Sequence, residues 1–271
     1  MTRIAVLQMT SGVDPEVNAQ VISSAVANAA AGGAAMLFTP EMSGLLDRDR
    51  KRAADKIVRE ADDQVLASVR EAAARAGIMV AIGSLAVERE DGRWANRSFV
   101  IDAKGEIIAR YDKIHMFDVS LDSGEIWNES AAYAAGDAVV TTQTPLGLLG
   151  LTICYDVRFP GLYEALGRRK CDAIAIPAAF TVPTGQAHWE LMLRARAVEA
   201  SAWVIAAAQV GTHEDGRQTW GHSMVVDPWG EVLLDMGGER AGLGFADIDP
   251  ERTASVRKQL PSLANRRNIT I

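Results

Sequence analysis

Residues 149–161 read LGLTICYDVRFPG, and the change of character within this stretch decides how the rest of the chain is read. A run of strand-forming residues stops at Cys154, Tyr155-Asp156-Val157-Arg158 turns polar, and Pro160 opens a new element. An apolar strand that gives way to a Pro-started helix is a strand–helix unit, and ligands gather beyond the carboxyl ends of such strands. The pattern predicts a helix over about 160–169, a strand over 173–177, a second helix over about 187–202 and a strand over 204–208.

The same alternation runs upstream. A strand is expected over 3–9, and Asp14-Pro15-Glu16 then supplies an N-cap, a proline at the first helical position and an acid in the first turn. Gly32-Gly33 ends that helix. A compact strand over 35–39 stops at Pro40-Glu41, a helix follows over about 62–76, and a buried strand over 78–85. Two segments share one grammar: SFVIDAKGEI (98–107) and SMVVDPWGEV (223–232) each read strand, glycine-closed turn, strand. They fit an internal duplication or two ordinary hairpins equally well. The expected class is α/β. No Pro/Ser/Gly-rich linker interrupts the pattern, so one domain over 1–271 is expected. Its tail after Asp249 starts helical, ends basic at Arg266 and Arg267, and is expected to drape over a neighbouring element or a second subunit.

Composition narrows the function. A net charge of −7 and a pI near 5.2 argue against nucleic acid or an anionic membrane as partner. No apolar run approaches the roughly 18–20 residues of a membrane span, and MTRIAVLQMT enters a strand directly, without a signal-peptide pattern. Two cysteines, Cys154 and Cys171, make no disulfide framework, so a reduced, cytoplasmic protein is expected. The four histidines form no HExxH and the cysteines no CxxC; no metal and no cofactor is expected.

Three strands end on a reactive side chain: Glu41 after LFTP, Lys113 after IIARYD, Cys154 after LGLTI. Each alone has a plain structural reading, as a loop acid, a solvated cation and a buried thiol. If the three strands are neighbours pointing one way, the three groups meet. Together they supply amide hydrolysis without a histidine. Cys154 attacks, Glu41 relays the proton, and Lys113 with the backbone N–H of Tyr155 stabilises the oxyanion. Lys113 also lets Glu41 and a partial thiolate share one pocket. Cys171, which opens a strand after the basic run 168–170, is read as structural.

PEMSG around Glu41, YDKIHMFD around Lys113 and ICYDVRFP around Cys154 resemble the signature segments of the nitrilase superfamily of carbon–nitrogen hydrolases, most closely its Nit branch. PAAF (177–180), AHWELMLRARAVE (187–199), AAAQ (206–209) and GHSMVVDPWG (221–230) extend the likeness in the same order. The resemblance implies a four-layer αββα sandwich, an eight-layer αββααββα homodimer, and a triad of Glu41, Lys113 and Cys154. It adds Glu129 in WNESAAYAAG as a second acid. It implies a small linear carboxylated amide as substrate, deaminated glutathione above all, cleaved to carboxylate and ammonia. Close relatives are ω-amidases on 2-oxo-dicarboxylate monoamides. Two departures stand out: Gly161 where relatives carry Glu, and Gln186 where Pro is usual.

Arg158 corresponds to a carboxylate-binding position in related carbamoylases, and a guanidinium suits that role. Its alternative is an ion pair with Glu164 or Asp156. The stretch from Thr181 to Gln186 is expected to be a loop facing the substrate, with Thr181 as a substrate-binding residue. An N-carbamoyl substrate keeps the same triad. Tyr155-Asp156 in place of Trp-Glu disfavours a nitrile. A non-catalytic scaffold is disfavoured by the intact triad.

Overall fold

The computed structural model describes residues 1–122 and 124–267. The chain opens with β1 (Thr2–Gln8), α1 (Pro15–Ala31), β2 (Met36–Phe38), the short α2 (Arg50–Ala54), α3 (Gln64–Ala76), β3 (Met79–Glu88), β4 (Trp94–Ile101) and β5 (Ile107–Asp112). A small hairpin follows, β6 (Asp118–Ser120) and β7 (Ile126–Asn128). Then come β8 (Thr141–Thr144), β9 (Gly147–Leu151), α4 (Pro160–Arg168), β10 (Ala173–Ala175), α5 (Val182–Ala200) and β11 (Trp203–Ala206). A second small hairpin, β12 (Val210–Thr212) and β13 (Gln218–Trp220), precedes β14 (Met224–Val226), β15 (Val232–Asp235), β16 (Gly242–Ile248) and α6 (Pro250–Gln259).

Local chemistry explains the boundaries. The Asp14 carboxylate accepts from the N–H groups of Glu16 and Val17, which α1 leaves unpaired in its first turn. Asp63 does the same for Leu66 at the start of α3, and Gly77, at φ 68°, closes that helix in the left-handed region. In contrast, α5 begins at Val182, not at residue 187. What the sequence presents as a loop from Thr181 to Gln186 is the N-cap and first turn of a helix, with a proline where a missing N–H costs nothing.

Two six-stranded sheets result, and they follow one plan. The first runs β16-β1-β2-β3-β4-β5 and the second β8-β9-β10-β11-β14-β15. In each, three parallel strands (β1, β2, β3; β9, β10, β11) are linked through helices, α1 then α2 and α3 in the first and α4 then α5 in the second, and flanked by antiparallel partners. The hairpins β4–β5 and β14–β15 occupy equivalent places. Their turns match atom for atom: Asp102 Oδ1 accepts from Lys104 and Glu106, and Asp227 Oδ1 from Trp229 and Glu231. Gly105 and Gly230 sit at φ 82° and 89°, and both hairpins carry a register shift before the turn. The shared grammar of the two segments therefore belongs to a repeated sheet plan.

Burial follows strand periodicity. From β1, Ala5 and Leu7 pack with Ile22 and Val26 of α1 and with Leu66 and Val69 of α3. Ile4 and Val6 point the other way, into a cluster shared with Leu149, Leu151 and Ile174 of the second sheet and with Leu166 and Leu193 of α4 and α5. The described part of the tail docks on its own chain: Arg266 donates to the carbonyls of Glu164 and Glu199, on α4 and α5.

Candidate active site

The three strand-end groups meet, but not as neighbours in one sheet. β2 and β5 belong to the first sheet with two strands between them, and β9 belongs to the second. Glu41 and Lys113 thus reach Cys154 from the opposite sheet. The Lys113 ammonium, 2% exposed, lies 2.9 Å from Glu41 Oε1 and 2.8 Å from Glu129 Oε2. The Glu129 carboxylate therefore shares the lysine with Glu41. These groups line a cavity of about 360 Å³ together with Cys154, Tyr155, Arg158 and Thr181.

Main-chain geometry fixes each group. Thr39 and Pro40, just before Glu41, cross β3 so closely that a Cβ on Gly83 would lie 2.1 Å from the Thr39 carbonyl oxygen. Met42 then takes φ 54°, its N–H held by Ser84 Oγ at 2.9 Å. Cys154 itself has φ 47°, an uncommon conformation for a non-glycine residue, with its N–H tied to the Pro177 carbonyl at 2.8 Å. A 3-10 turn over Cys154–Arg158 follows at once, so the N–H of Tyr155 belongs to its first turn, where N–H groups lack partners within the helix.

Burial pushes the Glu41 carboxyl up, but the Lys113 ammonium and bonds from Lys113, Cys154 and Asn96 outweigh it, leaving the group below its ordinary value. Burial pushes Lys113 down, and the two carboxylates more than reverse this, holding the ammonium charged. Burial and then the Glu41 carboxylate push the Cys154 thiol well up. The resting site is thus a neutral thiol facing an ionised acid. The partial thiolate expected from the sequence is not favoured, because burial and the adjacent Glu41 carboxylate outweigh the lysine's charge.

Arg158 makes neither of the ion pairs considered for it. Glu164 is held by Arg168, and Asp156 by Tyr111, His115 and the Ile153 N–H. The Arg158 guanidinium lies over the rings of Tyr155 and Phe180, 3.3 Å from His188 Nδ1. Thr181 lines the cavity from the N-cap of α5, its hydroxyl 2.8 Å from that of Thr184. Cys171 is wholly buried in the core beneath β9, apart from the cavity.

Sequence reading missed several contributors. Asn96, on β4, donates its amide to Glu41 at 2.9 Å and to Glu129 at 3.0 Å. The Ala179 N–H takes the other Glu41 oxygen at 2.9 Å. Gln209 holds the Glu41 carbonyl at 3.0 Å, and the Phe117 N–H holds Glu129 at 2.7 Å. Asn96 gives no local signal. Gln209 ends AAAQ, a segment noticed for its likeness but given no role.

Two helix-flanked sheets with an acid, a lysine and a thiol converging between them define a nitrilase-fold α/β protein. Residues 3–258 match the family model described as carbon-nitrogen hydrolase. The chain belongs to that family and is a hydrolase of C–N bonds. The deaminated glutathione amidase of Synechocystis sp. (strain PCC 6803 / GT-S) is 39% identical over 267 residues, covering 97% of each chain. The crystal structure of the C. elegans NitFhit protein matches 98% of this chain at 36% identity and a TM-score of 0.90; the chain spans 65% of that one. A mutant of the amidase from Nesterenkonia sp. AN1, showing covalent addition of the acetamide moiety of fluoroacetamide at its active site cysteine, is 27% identical with a TM-score of 0.83. It is matched over 98% of this chain and 94% of its own.

Proposed function

We propose that the chain is a cysteine amidase acting on a small linear amide that carries a carboxylate, deaminated glutathione or a near analogue, through a thioester on Cys154. One observation carries the reading: the Cys154 thiol, buried and on backbone of positive φ, faces a buried Glu41 carboxylate that is paired with the buried Lys113 ammonium. The Synechocystis relative supports the substrate, and the modified cysteine of the Nesterenkonia amidase supports the nucleophile.

In this reading Glu41 takes the thiol proton as sulfur bonds to the amide carbon. Charge on the oxygen falls to Lys113 Nζ and the Tyr155 N–H. Glu41 returns the proton to nitrogen as the C–N bond breaks; a primary amide then releases ammonia, whereas deaminated glutathione, a secondary amide, releases an amine in place of the ammonia expected from the sequence. Water then attacks the thioester, Glu41 accepts its proton, and the acid departs as the thiol reforms. Glu129 holds Lys113 and the water. Arg158 takes the carboxylate on the acyl side, and Thr181 borders it.

We further place the two sheets face to face in one domain as an αββα sandwich, paired into an eight-layer homodimer in a reducing cytoplasm. Exposed Leu191 and Val198, seven residues apart on α5, with Trp229 exposed on the turn beside Val198, support an apolar pairing face. The free state of both cysteines supports the compartment. The test is turnover of deaminated glutathione, 2-oxoglutaramate, an N-carbamoyl amino acid and propionamide, with intact-mass detection of the acyl-enzyme. Preference for the carboxylated amides, weakened in Arg158→Leu, is expected. Equal rates on propionamide would remove the carboxylate from the reading.

A further inference from the structure

The cavity has a second cationic end that the reaction does not use. Arg217 is 16% exposed at its side chain and lies 4.6 Å over the ring of Trp127, and Arg48 lies over the same ring at 5.8 Å. One fully buried carboxylate organises both: Asp215 accepts the Arg48 N–H at 2.8 Å and the Arg217 N–H at 2.9 Å. The Arg217 guanidinium reaches that carboxylate only at 3.4 Å. Its Nε, and the indole Nε1 of Trp127, are buried with no hydrogen-bond partner among the described residues. The acids that line the cavity are engaged elsewhere, Glu41 and Glu129 by Lys113 and Asp47 by Arg52. A buried cation with unmet donors beside a second, exposed cation is costly unless an anion arrives.

The rings of Tyr155, Phe117 and Trp127 stand in series along the cavity wall, at centroid spacings of 5.1 and 6.1 Å. Arg158 covers the first ring, and Arg48 and Arg217 cover the last. Cys154 adjoins the first of these rings. A substrate stretched along this wall meets a cation at each end.

We propose that Arg217 and Arg48, over Trp127, form a subsite for a carboxylate on the amine side of the scissile bond, so that the cavity selects a secondary amide with an anion at both ends. The assignment rests on the amidase reading above. It separates deaminated glutathione, whose departing amine carries a carboxylate, from 2-oxoglutaramate, whose departing group is ammonia.

The test uses the full chain and two matched substrates, deaminated glutathione and its C-terminal carboxamide, which differ only in that distal charge. Wild type is expected to favour the free acid ten- to a hundredfold in kcat/KM, chiefly through KM. In Arg217→Gln the ratio is expected to fall to within about twofold of unity, and in Arg217→Lys to fall partway. Arg48→Gln, at an exposed position that does not endanger the fold, is expected to lower it as well. No preference in wild type, or a ratio unchanged in both glutamine variants, overturns the subsite. Calorimetric binding of the same two compounds to Cys154→Ala separates the two readings. If neither compound is turned over but the free acid still binds more tightly, and Arg217→Gln abolishes that difference, the subsite stands and the amidase reading falls. Equal binding of acid and carboxamide removes the subsite whatever the turnover.

Discussion

The Tyr111 hydroxyl donates a 2.7 Å hydrogen bond to Asp156 Oδ2, joining β5 of the first sheet to the turn that follows β9 in the second. Asp156 also receives the N–H of Ile153 and both the N–H and Nδ1 of His115. One carboxylate therefore grips the residue before Cys154 and the second residue after Lys113. Burial and the Asp156 carboxylate push the Tyr111 phenol far up, so it remains a donor at any working pH. Tyr111→Phe should cost about 1–2 kcal/mol of stability in denaturant titration. It should also lower kcat roughly tenfold with KM little changed, because the two halves of the site lose their alignment. Unaltered kcat in a destabilised variant would confine the bond to folding.

Cys154→Ala should abolish turnover and any acyl-enzyme mass, whereas Cys171→Ala should retain most of the activity. Cys171 packs against Gly150 and Leu166, so its loss leaves a small cavity costing on the order of 1 kcal/mol. Residual turnover in Cys154→Ala beyond the uncatalysed rate would end the thioester mechanism.

Lys113→Met should lower kcat by about 10² to 10³ and move the acid limb of the pH profile upward. With lysine present, Glu41 is held below its ordinary value, so the acid limb of kcat/KM lies below about pH 4.3. Without it, burial and nearby Glu129 push Glu41 up. The stability profile has a matching sign. A depressed Glu41 stabilises the fold above its unfolded value of about 4.3, and this is lost as pH falls through the folded value. A raised Lys113 stabilises below about 10.4, and this is lost as pH climbs through its higher folded value. An acid limb that stays in place in the methionine variant would show that another group sets it.

Glu129→Gln should reduce kcat about ten- to a hundredfold while thermal unfolding remains cooperative. The amide keeps the shape that meets the Phe117 N–H but gives up one of the two anions holding Lys113. Its expected signature is a kcat loss that Glu129→Asp partly restores. Wild-type kinetics would leave Glu129 a purely structural residue.

The strand ends bearing Glu41, Lys113 and Cys154 were legible because each couples an apolar run to an abrupt reactive residue. The matching hairpins were legible because Asp102-x-x-Gly105 and Asp227-x-x-Gly230 encode one turn. The start of α5 was not. Thr181-Val-Pro-Thr-Gly reads as a turn, yet the proline suits a first helical turn, and Gly185 is small because Trp220 lies where its Cβ would be. Asn96 and Arg217 were hidden for a different reason. Their meaning arises from partners on other elements, Glu41 and Glu129 for one and Trp127 for the other, and no short window contains both sides.

The pairing of β1 with β16, which sets Thr2 opposite Ile248, has a consequence for how the molecule comes into being. During synthesis β1 emerges early and waits, with one edge unpaired, until nearly the whole second sheet has left the ribosome. Gln8 waits with it, since its carboxamide binds the carbonyls of Gly237 and Arg240 and the Ser223 N–H. Such distant closure slows folding and leaves a bare edge open to wrong partners. It also means that Glu41 and Lys113 are made well before Cys154 meets them. In the growing chain the three side chains can therefore come together only after β9 and the turn that follows it have been made.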